Sequence, residues 1–114
     1  MQINYKLALL MQIFYKISET EDRRLYPTVE NKIELECYGE KVETELIGLS
    51  LDSRDIPILE YKDEFTDGNI GYDPLEIIGI EGIKEIMRAF GIRTDVAVPV
   101  FLSMAKIEMD INND

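Results

Sequence analysis

Lys32-Ile-Glu-Leu-Glu-Cys-Tyr-Gly-Glu-Lys-Val-Glu-Thr-Glu-Leu46 is the stretch that decides the fold. Apolar and charged residues alternate on both sides of Gly39-Glu40, the pattern of two antiparallel strands joined by a tight turn. With Gly39-Glu40 as a two-residue loop, Cys37 faces Val42 and Leu35 faces Thr44. Glu36 then faces Glu43, and Glu34 faces Glu45. Strict alternation sends these four glutamates to one face and Ile33, Leu35, Cys37 and Val42 to the other. Like charges directly opposed across a sheet destabilise it. Compensation is therefore expected from a basic neighbouring strand, a cation or a basic partner. The plainer reading is an exposed strand face interleaved with Lys32 and Lys41, or neutralised by Lys6 or Lys16. Glu34, Glu36, Glu43 and Glu45 are the candidate partner-binding residues.

On the N-terminal side, every odd position from Met1 to Ile17 is apolar, the period-2 mark of a half-buried strand. Leu, Ala, Met and Gln at 7–12 are good helix formers. A helix, however, would set Tyr5, Leu9 and Ile13 among Gln2, Lys6, Gln12 and Lys16 on one side. A strand is the expectation, bent near Ala8–Leu10, because a straight one would span about 55 Å at about 3.3 Å per residue. Residues 18–31 read as a loop, with one helical turn after Ser18 indicated by the capping-box spacing of Ser18-Glu-Thr-Glu21.

On the C-terminal side, the pattern slips phase at Leu46-Ile47 beside Gly48, which predicts a bulge. Asp52-Ser-Arg-Asp55 reads as a turn and Ile56–Tyr61 as a strand, with Pro57 at an edge or at the strand start. Residues 62–74 form the longest polar loop. Asp73-Pro74 predicts the start of a main helix over about 74–91, with Gly91 as its C-cap. Gly79 and Gly82 weaken its first turns, so a strand over Leu75–Ile80 and a helix from near Glu81 stay open. Val96–Ile111 reads as a returning strand. The expected class is α+β: a single globular domain over 1–114, with a mainly antiparallel sheet of four to five strands and one main helix packed on it.

The chain holds 23 acidic residues against 12 basic ones, a formal net charge of −11. Residues 1–18 contain Lys6 and Lys16 and no acid, so the negative excess falls on the rest. Such a surface repels nucleic acid and anionic membrane and steers the protein towards basic protein surfaces. Solubility alone is the plainer use of that charge. There is no histidine, which removes the commonest general base, metal ligand and near-neutral switch. Cys37 is the single cysteine, so an intramolecular disulfide is excluded. It is expected to be a buried, unreactive core residue. The apolar N-terminus is too short and too polar for a membrane span, and no small-residue cleavage site follows it. The cytoplasm, or a particle assembled there, is the expected setting.

Three motifs invite chemistry and decline it. Asp67-Gly-Asn-Ile70 carries the middle of a calcium loop, but Phe65 and Pro74 fall where ligands are needed. Gly79-Ile-Glu-Gly82 lacks the spacing and the Lys-Ser/Thr of a phosphate loop. Arg23-Arg24, flanked by Glu21 and Asp22, reads as half of a solvated ion-pair cluster. No serine stands in a nucleophile-elbow context. Neither a metal, a cofactor nor an enzymatic activity is expected.

Gly79, Ile80, Glu81 and Gly82, with Pro99 further on, resemble the strand-to-helix region of the SecB export chaperones over about a fifth of the chain. That resemblance implies an acidic, oligomeric holdase. The reading drawn from charge and patterning ranks ahead of it: a non-enzymatic acidic module that docks on a basic partner surface. Inhibitors, immunity proteins and nucleic-acid mimics encoded by phage and mobile elements work this way. The alternative is a structural subunit of a larger assembly such as a phage particle, completing a sheet with neighbouring copies. Homo-oligomerisation is left open by either reading.

Overall fold

The computed structural model describes residues 4–95. The hairpin forms as β1 (Lys32–Cys37) and β2 (Glu40–Leu51), paired antiparallel. Its turn is Tyr38-Gly39, not Gly39-Glu40. Both turn residues have positive φ, 52° and 83°, as a two-residue type I′ loop requires. The register therefore shifts by two residues from the expected one. Leu35 faces Val42, Glu34 faces Glu43, Glu36 faces Lys41 and Lys32 faces Glu45. A shift of two leaves every side chain on its expected face. Ile33 and Val42 are buried, and Glu34, Glu36 and Glu43 are exposed.

Beyond the hairpin the sheet continues antiparallel in the order β1-β2-β3-β4, with β3 at Pro57–Lys62 and β4 at Gly71–Pro74. The β2–β3 register breaks between Leu46 and Gly48, where the phase slip predicts a bulge. Pro57 opens β3, a position that needs no ladder N–H. The sequence pattern reads 62–74 as loop and Asp73-Pro74 as the opening of the main helix, whereas Gly71–Pro74 forms β4. Pro74 instead ends the strand with extended backbone (φ −66°, ψ 136°), since a fixed φ near −65° suits extended chain as well as a first helical turn. A single 3-10 turn (Leu75–Ile77) follows, and the C-terminal helix is shorter than 74–91. It spans Ile80–Ala89, with Gly79 as N-cap.

The first helix, α1, spans Tyr5–Ser18 and corrects the strand expected over 1–17. Asn4 caps it, its side chain accepting from the Leu7 N–H at 3.0 Å. The residues it buries are Ala8, Leu9, Ile13 and Ile17, a stripe at helical spacing. The remaining odd-numbered apolar residues of the helix, Tyr5, Leu7, Met11 and Tyr15, are only partly covered or exposed. Ser18 ends this helix instead of starting a turn, its hydroxyl donating back to the Phe14 carbonyl at 2.8 Å.

The C-terminal helix, α2 (Ile80–Ala89), closes on Gly91 (φ 72°), with Gly91 N–H on the Arg88 carbonyl and Ile92 N–H on that of Met87. That pair of bonds is a Schellman cap, and it satisfies carbonyls the helix leaves open. Leu9, Ile13 and Ile17 of α1 and Ile83, Ile86 and Met87 of α2 share one buried cluster with Ile33, Leu46, Leu49 and Leu59 of the sheet. The architecture is α+β, with two helices on the sheet rather than one. The returning strand expected at 96–111, and Pro99 within it, lie outside the described residues.

Candidate functional site

The hairpin compensates part of its own charge, two lysines standing among its four same-face glutamates. Lys41 stands opposite Glu36, and Lys32 stands opposite Glu45 and 3.9 Å from Glu43. Glu45 also faces Lys62 across β3. One like-charge pair remains, Glu34 against Glu43. The four glutamates do share a face, but as a surface interleaved with Lys32 and Lys41. Lys6 is not their neutraliser, since its ammonium donates to the Glu76 carbonyl.

On the opposite face, an open groove of about 1770 Å³ runs along β1 past the start of α2. Small-molecule pockets are closed clefts of about 300–1,000 Å³, so this shape suits a polypeptide segment better. Leu35, Cys37, Val42 and Tyr61 lie on its floor, and the 77–82 segment entering α2 forms a wall. Tyr38, Phe65 and Ile77, which also line it, are 95%, 61% and 67% exposed. Eight acidic residues and two lysines contribute to its lining, but Lys32, Glu34, Glu36, Lys41 and Glu43 carry their side chains on the opposite face of the strands, which leaves Glu30, Asp63, Asp73, Glu81 and Glu85. Cys37 is half-buried on this floor, which corrects the expectation of full burial. It stands immediately before the Tyr38-Gly39 turn, where the neighbouring Tyr38 is exposed.

Tyr61 donates to Asp73 Oδ2 at 3.0 Å across the β3–β4 ladder. Burial, and then the adjacent Asp73 carboxylate, push its hydroxyl up to about 12. It is a fixed neutral donor at ordinary pH, with no access to the nucleophilic form. The 63–74 loop spends its first carboxylate on itself: Asp63 Oδ1 accepts from the Phe65 and Thr66 N–H groups at 2.9 and 3.0 Å. Among the described residues, no three Cys, Asp or Glu side chains converge on a common ion position. Asp52 likewise closes the 52–55 turn, and the Ile56 N–H it accepts, ahead of the Arg54 contacts, holds its carboxyl below the usual range.

The arginine pair divides. Arg23 makes the expected exposed ion pair with Asp55 at 3.2 Å. Arg24 turns inward to the buried Glu60 carboxylate, which also accepts from Ser50 Oγ at 3.0 Å. Gly48 makes room for it, because a Cβ there would lie 2.9 Å from Arg24 Nε. Backbone bonds between Leu25 and Leu49 hold this strap on β2. Sequence reasoning missed the pair, though Glu60 in the otherwise apolar run Pro57-Ile-Leu-Glu-Tyr61 was the available signal. A buried carboxylate of this kind needs a partner.

Comparison with protein-family models, curated proteins and solved structures found no match. The likeness to SecB chaperones rests on the quoted residues alone. Of these, Gly79 to Gly82 do form the entry from the sheet and 3-10 turn into α2.

Proposed function

We propose that this protein is a non-enzymatic binding module that docks a basic, partly apolar region of another protein. The observation that carries this reading is the groove: an apolar floor lined also by Glu30, Asp63, Asp73, Glu81 and Glu85, with the acidic hairpin face across the same strand edge. The candidate face thereby widens from the hairpin glutamates to the strand edge between them and the groove. Glu34 and Glu36 belong to both. Fixed negative charge around an apolar trough raises the encounter rate with cationic surfaces, and the trough supplies the area that holds them. No described side chain is arranged as a nucleophile with a base.

Capture from the native host tests the reading, with wild type and a Glu34→Lys/Glu36→Lys variant run side by side. A partner with a basic surface, retained by wild type and lost with salt or in the folded variant, is the expected result. Identical, salt-insensitive recovery by both proteins would exchange this reading for the assembly subunit. That second reading draws on one observation of its own: among the described residues no strand pairs with the outer edge of β1.

A further inference from the structure

We infer that the open edge of β1 takes up an extended segment of another polypeptide, with alternating apolar and basic residues, as an added antiparallel strand. The inference rests on the docking reading above and specifies its geometry. β1 is the terminal strand of the order β1-β2-β3-β4, and among the described residues no strand lies on its other side. The turn decides which backbone groups are free. In a two-residue hairpin the residues flanking the loop, here Cys37 and Glu40, exchange hydrogen bonds, and so does every second pair after them. Leu35 with Val42 and Ile33 with Thr44 are those pairs. The N–H and C=O groups of Lys32, Glu34 and Glu36 therefore point away from β2.

Side-chain direction follows from the same pleat. The three residues with outward backbone groups carry their side chains on the acidic face, while Ile33, Leu35 and Cys37 point to the groove side. An incoming strand is pleated in phase with β1. Every second side chain enters the groove beside Ile77 and Ile80, and the others stand beside Glu34 and Glu36 at cross-strand distance. Apolar residues suit the first set and arginine or lysine the second. The opposite edge offers less, because β4 has four residues and ends in Pro74. A second copy is the poorer occupant: antiparallel pairing centred on Glu34 opposes it to itself, and each copy carries −11.

The probe is an acetylated, amidated peptide of alternating valine and arginine, titrated into the full chain at low salt by fluorescence anisotropy. Two further peptides carry N-methyl groups on all the arginine nitrogens or on all the valine nitrogens. Residues opposite Glu34 and Glu36 in an antiparallel strand share their face, so the arginine N–H groups point at β1. Methylating arginine is expected to weaken binding about tenfold or more, roughly the loss for each bond left unmade. Methylating valine should leave affinity near that of the parent. Equal behaviour of the two methylated peptides overturns strand addition, and a parent whose binding still falls with salt leaves the docking reading intact. No binding by the parent peptide overturns both. Glu34→Pro removes an outward N–H without breaking the β1–β2 ladder. If this variant is folded and binds as well as Glu34→Gln, strand addition is again overturned. A dimer of the chain that the peptide does not dissociate, seen by sedimentation, overturns the choice of occupant.

Discussion

Tyr38 occupies the first turn position with φ 52° and is 95% exposed. Type I′ turns favour Asn, Asp or Gly there, because a Cβ crowds the carbonyl in left-handed backbone. The ring recovers nothing by packing on its own fold, so its presence is a cost the fold alone does not explain. It stands at the mouth of the groove, where an exposed aromatic is suited to anchor a partner. Tyr38→Asn is expected to raise unfolding stability by about 1 kcal/mol, read as a higher urea midpoint with unchanged slope. The same change should weaken binding of the valine–arginine peptide. A lower midpoint would mean that the ring does support the fold. Tyr61 gives a second test at this scale. Its folded pKa is raised, from the ordinary 10.0 to about 12. Its contribution to stability is therefore complete below pH 10.0 and is lost as pH rises through about 12. Tyr61→Phe should remove a late-titrating tyrosine from the ultraviolet titration and flatten the alkaline loss of stability in that window.

Elements were legible in the sequence where one periodicity had no competitor. The hairpin faces and the Leu46–Gly48 bulge follow from period 2 and its slip, and only the turn register is displaced, because Tyr38 hides a position that usually advertises itself as Asn or Asp. In α1 two periods fit the same apolar residues, and the decisive features are the Asn4 cap and the four-residue spacing of Leu9, Ile13 and Ile17. β4 is too short for any period to register. The groove and the Arg24–Glu60 pair are tertiary, the latter joining residues 36 apart, so composition and local pattern do not reveal them. The two ends of α2 make opposite predictions. Gly91 sits at φ 72°, and an added Cβ would lie 2.7 Å from Thr28 Oγ1. Gly91→Ala should therefore cost about 1–2 kcal/mol through backbone strain and the displaced strap. Gly79 has open space around its Cβ position and supplies no side-chain cap, so Gly79→Ser should gain a few tenths of a kcal/mol. Thermal melts of the two variants check both signs together.

Across the whole molecule, 23 carboxylates against 12 basic groups make the net electrostatic self-energy repulsive. Exposed pairs such as Arg23–Asp55 and Lys32–Glu43 offset it weakly, since solvent screens them. Added salt screens attraction and repulsion alike, and here repulsion is the larger. The melting temperature of the free protein is therefore expected to rise between about 0.01 M and about 0.1 M sodium chloride, as the screening length falls from about 30 Å to about 10 Å. The same screening acts in the opposite direction on a cationic ligand at the groove. A saturating valine–arginine peptide should raise the melting temperature most at low salt, by linkage to its affinity, and the increment should shrink as salt is added. The two slopes must differ in sign. Calcium matched for ionic strength with magnesium should add nothing specific, because Asp63 is already committed to its own loop. A peptide increment that is constant across the salt series would show that the apolar floor, not the acidic border, governs recognition, and the charge-based docking reading would then fail.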